Sequence, residues 1–187
     1  QKRSFQIPLW VILLIAALNG LVYVFLVPPW QHFDEPGHFE YVTLYAKLGH
    51  LPVEEEIDHA IRRQMAASMV EHDFFRNLGG PPNLVDLGAP PWIGISQFDD
   101  QPLYYFLASL PLRVFTNQDV TFQLYLGRLV SWMLYLITIF AAWGTARLLF
   151  GDQSALSWGV PLFLGCLPGF VDLTTAINND VGAIAIL

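Results

Sequence analysis

Two carboxylates and two imidazoles fall within one short stretch, His32-Phe33-Asp34-Glu35-Pro36-Gly37-His38. A carboxylate here could take the proton of an attacking hydroxyl or amine, which makes Asp34 and Glu35 candidate catalytic acids. The spacing His-x-Asp-Glu-x-x-His also supplies nitrogen and oxygen donors for a divalent metal. It departs from the His-Glu-x-x-His zinc signature. A third reading is structural. Asp34 could accept the Gly37 backbone N–H as a helix N-cap, while Glu35 faces the positive helix end. Capping and catalysis are compatible, because a cap bond holds a carboxylate in place.

Two further groups stand out. Asn178-Asn179-Asp180 reads either as a polar turn before a helix or as part of a site. Gln101-Pro102-Leu103-Tyr104-Tyr105 reads either as an interfacial aromatic anchor or as a ligand contact.

The elements that must position these residues follow from composition. The chain has 187 residues, 54% hydrophobic and 13% charged, and its mean hydropathy is +0.44. Soluble domains carry about 25% charge. Disorder, collagen and coiled coil are excluded, and an all-α integral membrane fold is expected. One cysteine, Cys166, rules out an intrachain disulfide framework. A net charge of −7 argues against a nucleic-acid partner.

Residues 5–27 form an apolar run long enough for about 30 Å of hydrocarbon. Lys2 and Arg3 before it place the N-terminus in the cytoplasm by the positive-inside rule. Pro28-Pro29-Trp30 makes a poor cleavage site, so the run reads as a retained helix. Further spans are expected over about 124–149, with its charge-free part from Leu129 to Ala146, and over 153–171, the two joined by a tight turn. The apolar stretch from about 179 to Leu187 reads as the start of another span, so the chain is expected to be the N-terminal portion of a larger membrane protein.

Gln101 to Leu112 sets the parity. It is apolar but short for a span. If it does not cross, residues 28–123 form one extracytoplasmic loop, and Asp180 emerges on the same face as Asp34. That topology is preferred on length and on the cytoplasmic position it gives Arg147. Within the loop a helix is expected from Glu35 to Leu48, with Pro36 at its start and Gly49 as its stop. Its His38, Tyr41, Val42 and Tyr45 form one aromatic stripe. A second helix is expected from Glu54 to Phe75. Ile57, Ile61, Met65 and Met69 would line its apolar face, an Asp58–Arg62 pair would brace it, and it would lie on the membrane surface. Residues 77–101, rich in Gly and Pro, are expected to form an ordered irregular loop.

The order of these features is a membrane helix, Asp-Glu-Pro-x-His, a long loop with surface helices, Pro-Leu-Tyr-Tyr, an Arg-containing span, a Leu-Leu-Phe-Gly turn, a Pro-rich span, then Asn-Asp. In this the chain resembles the N-terminal part of GT-C glycosyltransferases, polytopic membrane enzymes that use polyprenyl-phosphate sugars. The mannosyltransferase and aminoarabinose-transferase groups are among them. The resemblance implies a GT-C-like helical bundle with juxtamembrane helices in its first outer loop, set in a cell membrane of the bacterial plasma-membrane kind. It implies transfer of a hexose or pentose to an acceptor at the outer face with inversion. Asp34 would be the general base and Glu35 the second acid. His38, Tyr41, Gln101, Tyr104, Tyr105, Asn179 and Asp180 would bind donor or acceptor. Some members of the family use a divalent metal such as Mg or Mn. Glu35, His38 and Asp180 would hold it here, unless Arg62, Arg63, Arg76, Arg113 or Arg128 neutralises the leaving phosphate instead.

Two other readings compete. One is a non-catalytic membrane subunit that docks through its outer loop. The other is a metal-dependent hydrolase built on His32, Asp34, Glu35 and His38.

Overall fold

A computed structural model describes residues 6–85 and 90–186, and its regular structure is wholly helical. Eight α-helices follow one another: α1 (Leu9–Leu26), α2 (Glu35–Leu48), α3 (His59–Glu71), α4 (Pro102–Val114), α5 (Val120–Phe150), α6 (Leu156–Cys166), α7 (Pro168–Thr175) and α8 (Asn179–Ile186). Lys2, Arg3 and Phe5, which support the N-terminal orientation and the start of the first run, lie outside the described residues. So does Leu187.

α1 runs for 18 residues without a charge. It buries Ile12, Ala16, Gly20 and Val24, a stripe at i+4 steps, and leaves Trp10, Leu14, Leu18 and Phe25 exposed. Its two middle residues, Ala16 and Gly20, are small, so the backbone approaches its neighbours closely there. A Cβ on Gly20 would lie 2.7 Å from Trp132 Cδ1 of α5. An apolar surface left outward along a whole helix suits lipid rather than water.

α5 is 31 residues long, about 46 Å at 1.5 Å per residue. That exceeds the about 30 Å of a bilayer core, so a crossing by α5 would be tilted or would project beyond it. Asp119 starts it by accepting the backbone N–H groups of Thr121 (2.8 Å) and Phe122 (3.3 Å). α1 and α5 are each long and apolar enough to cross a membrane.

The span expected over 153–171 is divided. α6 and α7 meet at 65°. Pro168 brings no N–H and disfavours helical backbone in the residue before it. Leu167 is accordingly extended (φ −75°, ψ 110°). The pair counts as one candidate span only if both halves are taken together.

The second outer helix is also divided. Glu54–Glu56 form a 3-10 turn, Ile57 leaves it, and α3 starts only after Asp58. Asp58 accepts Ala60 N (2.8 Å) and Ile61 N (3.1 Å). At its far end Asp73 takes a left-handed backbone (φ 58°), and a 3-10 turn over Phe74–Asn77 follows. The expected Asp58–Arg62 pair does not form. Asp58 pairs with Lys47, and Arg62 pairs with Glu40. Nor does the apolar face of α3 lie open to a membrane, since Met65 and Met69 are fully buried in the protein core.

That core holds Trp30, Phe39, Tyr41, Val42, Met65, Tyr104, Tyr105 and Leu124, and α2 runs through it. Every residue of α2 from Glu35 to Leu44 is buried, where the sequence predicts a single stripe. α4, with 13 residues, is about 20 Å long, shorter than the about 30 Å of a bilayer core, and packs on α2 and α5.

Candidate functional site

The chain leaves α1 through Pro28-Pro29-Trp30. Trp30 has a left-handed backbone (φ 70°), and its indole N–H donates to Ser68 Oγ at 3.0 Å. The turn is held from below by Arg128 of α5. Arg128 Nε donates to Glu35 Oε1 (2.7 Å), and Nη2 donates to Glu35 Oε2 (2.7 Å) and to the Pro28 carbonyl (3.0 Å). Nη1 donates to the carbonyls of Val24 (2.9 Å) and Val27 (2.8 Å). All five guanidinium N–H groups are thus used. Three of them satisfy carbonyls at or just beyond the end of α1, where a cation also suits the helix dipole. Glu35 Oε2 accepts the Trp30 backbone N–H as well (3.1 Å).

This geometry reassigns Glu35. Its carboxylate is fully buried, and both oxygens are taken by Arg128. It anchors the loop. Among the described residues no three His, Cys, Asp or Glu side chains are arranged to hold a metal ion. Glu35, which belongs both to the Glu35, His38 and Asp180 set and to the donor set of the hydrolase reading, has both oxygens engaged by Arg128.

Asp34 does not cap α2. Its backbone is left-handed (φ 52°), and its side chain accepts no cap bond. Only its carbonyl serves the helix, accepting His38 N at 3.3 Å. The carboxylate is half-exposed and uncommitted. A non-glycine residue at positive φ stores strain that the surroundings must hold in place, and such strain gathers at functional sites. Here the Glu35–Arg128 clamp holds it.

One turn on, His38 is buried against α4. Its Nδ1 lies 2.7 Å from Tyr105 Oη, and Tyr105 donates its O–H to Asp100 Oδ2 at 2.6 Å. Tyr41 stacks on Tyr105 with ring centroids 3.9 Å apart. Burial lowers the His38 pKa below the usual histidine value, while Asp100, Asp34, Asp180 and Glu35 pull it upward. The Asn-Asn-Asp turn is tied to the same helix, α4.

Tyr104 explains how the second stretch arrives. Its hydroxyl bonds Ser131 Oγ of α5 (2.8 Å) and accepts the Asn178 backbone N–H (3.2 Å). Asn178 Oδ1 in turn accepts Asp180 N at the start of α8 (2.8 Å). A Cβ on Gly182 would fall 2.8 Å from Tyr104 Cβ, so α8 rests directly on α4.

Of the predicted ligand-binding residues, Tyr41 and Tyr104 are buried and spent on packing and hydrogen bonds. Gln101 precedes α4 and is exposed, Asn179 is half-exposed, and Asp180 is exposed. Of the predicted cations, Arg62 and Arg128 are paired with carboxylates, and Arg113 lies over the Tyr45 and Phe106 rings. Grooves of about 460 Å³ beside Thr43 and Gln123, and about 480 Å³ beside Gln31 and Arg76, open on the surface. Neither is lined by Asp34, His38 or Asp180.

Sequence reasoning missed Asp100 and the His32–Asp172 contact. Asp100 carried a signal, as the second acid of Asp99-Asp100 just before the Gln-Pro-Leu-Tyr-Tyr stretch. His32 is buried with Nδ1 3.0 Å from Asp172 Oδ1 of α7. The contact is an ion-pair approach, and neither ring nitrogen makes a hydrogen bond of good geometry. No sequence spacing links residues so far apart.

No family model, no curated protein and no solved structure matches the chain.

Proposed function

We propose that the chain is part of a membrane glycosyltransferase acting at the outer face. A sugar would pass from a polyprenyl-phosphate donor to a hydroxyl or amine, with Asp34 as general base. As the acceptor oxygen or nitrogen bonds to C1, the bond from C1 to the phosphate oxygen breaks and the acceptor proton passes to Asp34. One displacement inverts the anomeric centre.

The observation that carries this reading is the free Asp34 carboxylate at the start of α2, with His38 and the Asn178–Asp180 turn both fastened to α4, through Tyr105 and Tyr104. A second acidic stretch, from the far end of the chain, is thereby tied to the helix that packs on α2. The apolar faces of α1 and α5 suit a substrate whose tail stays in lipid. With Arg62, Arg113 and Arg128 occupied, Arg63 and Arg76 remain the arginines to meet the growing charge on the phosphate, as such a leaving group requires.

The test is transfer of labelled sugar from polyprenyl-phosphate donors by the full-length protein in lipid, wild type against Asp34→Asn. Loss of transfer in a folded variant supports the reading. Undiminished transfer in the variant removes Asp34 as base. No transfer by the wild type across hexose and pentose donors leaves the docking subunit as the better account.

A further inference from the structure

His38 has two ring nitrogens, and the structure fixes which one is free. Tyr105 has a single hydroxyl hydrogen, and it goes to Asp100 Oδ2 at 2.6 Å. The 2.7 Å contact between Tyr105 Oη and His38 Nδ1 must then be made with the histidine hydrogen. So Nδ1 carries N–H and donates to the phenol oxygen. Nε2 carries the lone pair and makes no hydrogen bond in the structure.

The order of hydrogens is robust. Burial and the neighbouring Asp100 raise the Tyr105 pKa far above its usual value, so the phenol keeps its hydrogen. Burial keeps His38 neutral. The ring cannot swing to exchange its nitrogens freely. It stacks on Tyr105 (centroids 5.9 Å, planes at 21°), which is stacked in turn by Tyr41, and Phe98 stands edge-on to Tyr41 at 5.6 Å. The charged groups around the ring come from three directions: Asp34 and Glu35 from the start of α2, Asp100 from the loop before α4, and Asp180 from α8.

We propose that Tyr105 and Asp100 are positioning residues that hold His38 in the Nδ1–H tautomer, so that Nε2 is kept as a hydrogen-bond acceptor for a bound ligand. The matching ligand group is a hydrogen-bond donor, a hydroxyl or amine of the sugar or of the acceptor. A carbonyl or phosphate oxygen in the same place would meet a lone pair and be rejected. The naming of the ligand as sugar or acceptor rests on the transferase reading; the assignment of the free nitrogen does not.

The tautomer is measured without substrate. The full-length chain, with ¹⁵N-labelled histidine, is placed in lipid nanodiscs at neutral pH. Imidazole two-bond ¹H–¹⁵N spectra are recorded, and the His38 signals are identified by their loss in His38→Gln. Expected is a protonated Nδ1 and an unprotonated Nε2. Tyr105→Phe removes the acceptor of the Nδ1 hydrogen, and Asp100→Ala frees the phenol to donate to Nδ1. By these separate routes both variants should move His38 toward the Nε2–H form that an unconstrained histidine side chain prefers. A wild-type ring protonated at Nε2, or a tautomer unmoved in a folded variant of either kind, overturns the proposal. Failure of sugar transfer with the expected spectra would instead fault the transferase reading and leave the acceptor nitrogen standing.

Discussion

The carboxylate of Glu35 and the guanidinium of Arg128, 93 residues apart in sequence, form a two-pronged ion pair with both side chains fully buried. Breaking one partner of such a pair costs about 3–5 kcal/mol, because the other charge is left buried without compensation. Arg128→Met also strips partners from the carbonyls of Val24, Val27 and Pro28. It should therefore be the most damaging variant, followed by Glu35→Leu. Glu35→Gln, which keeps an acceptor oxygen, should be mildest. Joining Glu35→Leu with Arg128→Met should recover part of the loss. Thermal unfolding of the detergent-solubilised protein ranks the four.

Asp34 separates stability from activity. Its left-handed backbone is strained for an ordinary side chain, at a cost of order 1 kcal/mol. Asp34→Gly should leave stability unchanged or raised by up to about 1 kcal/mol. Asp34→Ala should lower it by a similar amount, and Asn, which tolerates this conformation, should be near neutral. All three should lose about 10²–10⁴-fold in transfer rate. A Gly variant that keeps its rate would show that the carboxylate does no chemistry.

Gly37 marks where the irregular loop meets α2. A Cβ there would lie 2.0 Å from the Ile95 carbonyl oxygen, a backbone atom that cannot swing aside. Gly37→Ala should displace the loop around Ile93–Gln97 and cost about 1–3 kcal/mol. Limited proteolysis should detect new cleavage in that loop while α1 and α5 stay protected. Wild-type resistance would show that the loop does not rest on α2.

Much of this architecture is written in local sequence. α1 is legible because an uncharged run of its length has few alternatives, and α2 because Pro36 and Gly49 punctuate it. The errors share a cause. Asp58 satisfies the helix cap and pairs with Lys47, so the reading of an i, i+4 pair with Arg62 gave way to contacts between elements. α2 is buried all round because α4 and α5 cover the face that its polar residues would otherwise turn to water, and Glu40 is tolerated there through Arg62. Glu35 looked catalytic because its partner lies in another helix. Arg128, a charge at the start of an apolar run, was the available sign that a buried acid must exist somewhere to receive it.

Acid sensitivity follows from His32 and His38. Burial lowers both pKa values below the ordinary 6.5; for His32 the carboxylates of Glu35 and Asp172 oppose this and Arg128 adds to it. In each case the unfolded chain binds the proton more readily than the folded one. Stability is therefore whole above about pH 6.5 and falls as pH drops through the lowered folded values. Unfolding temperature should decline on going from pH 7 to 5, and His32→Gln or His38→Gln should each flatten part of that decline. His32 sits 3.0 Å from Asp172 of α7, so its protonation also bears on how the turn after α1 seats against the bent helix pair. If acidification instead raised the unfolding temperature, attraction to Asp172 would outweigh burial, and His32 would be a charged partner in the fold rather than a neutral ring enclosed by it.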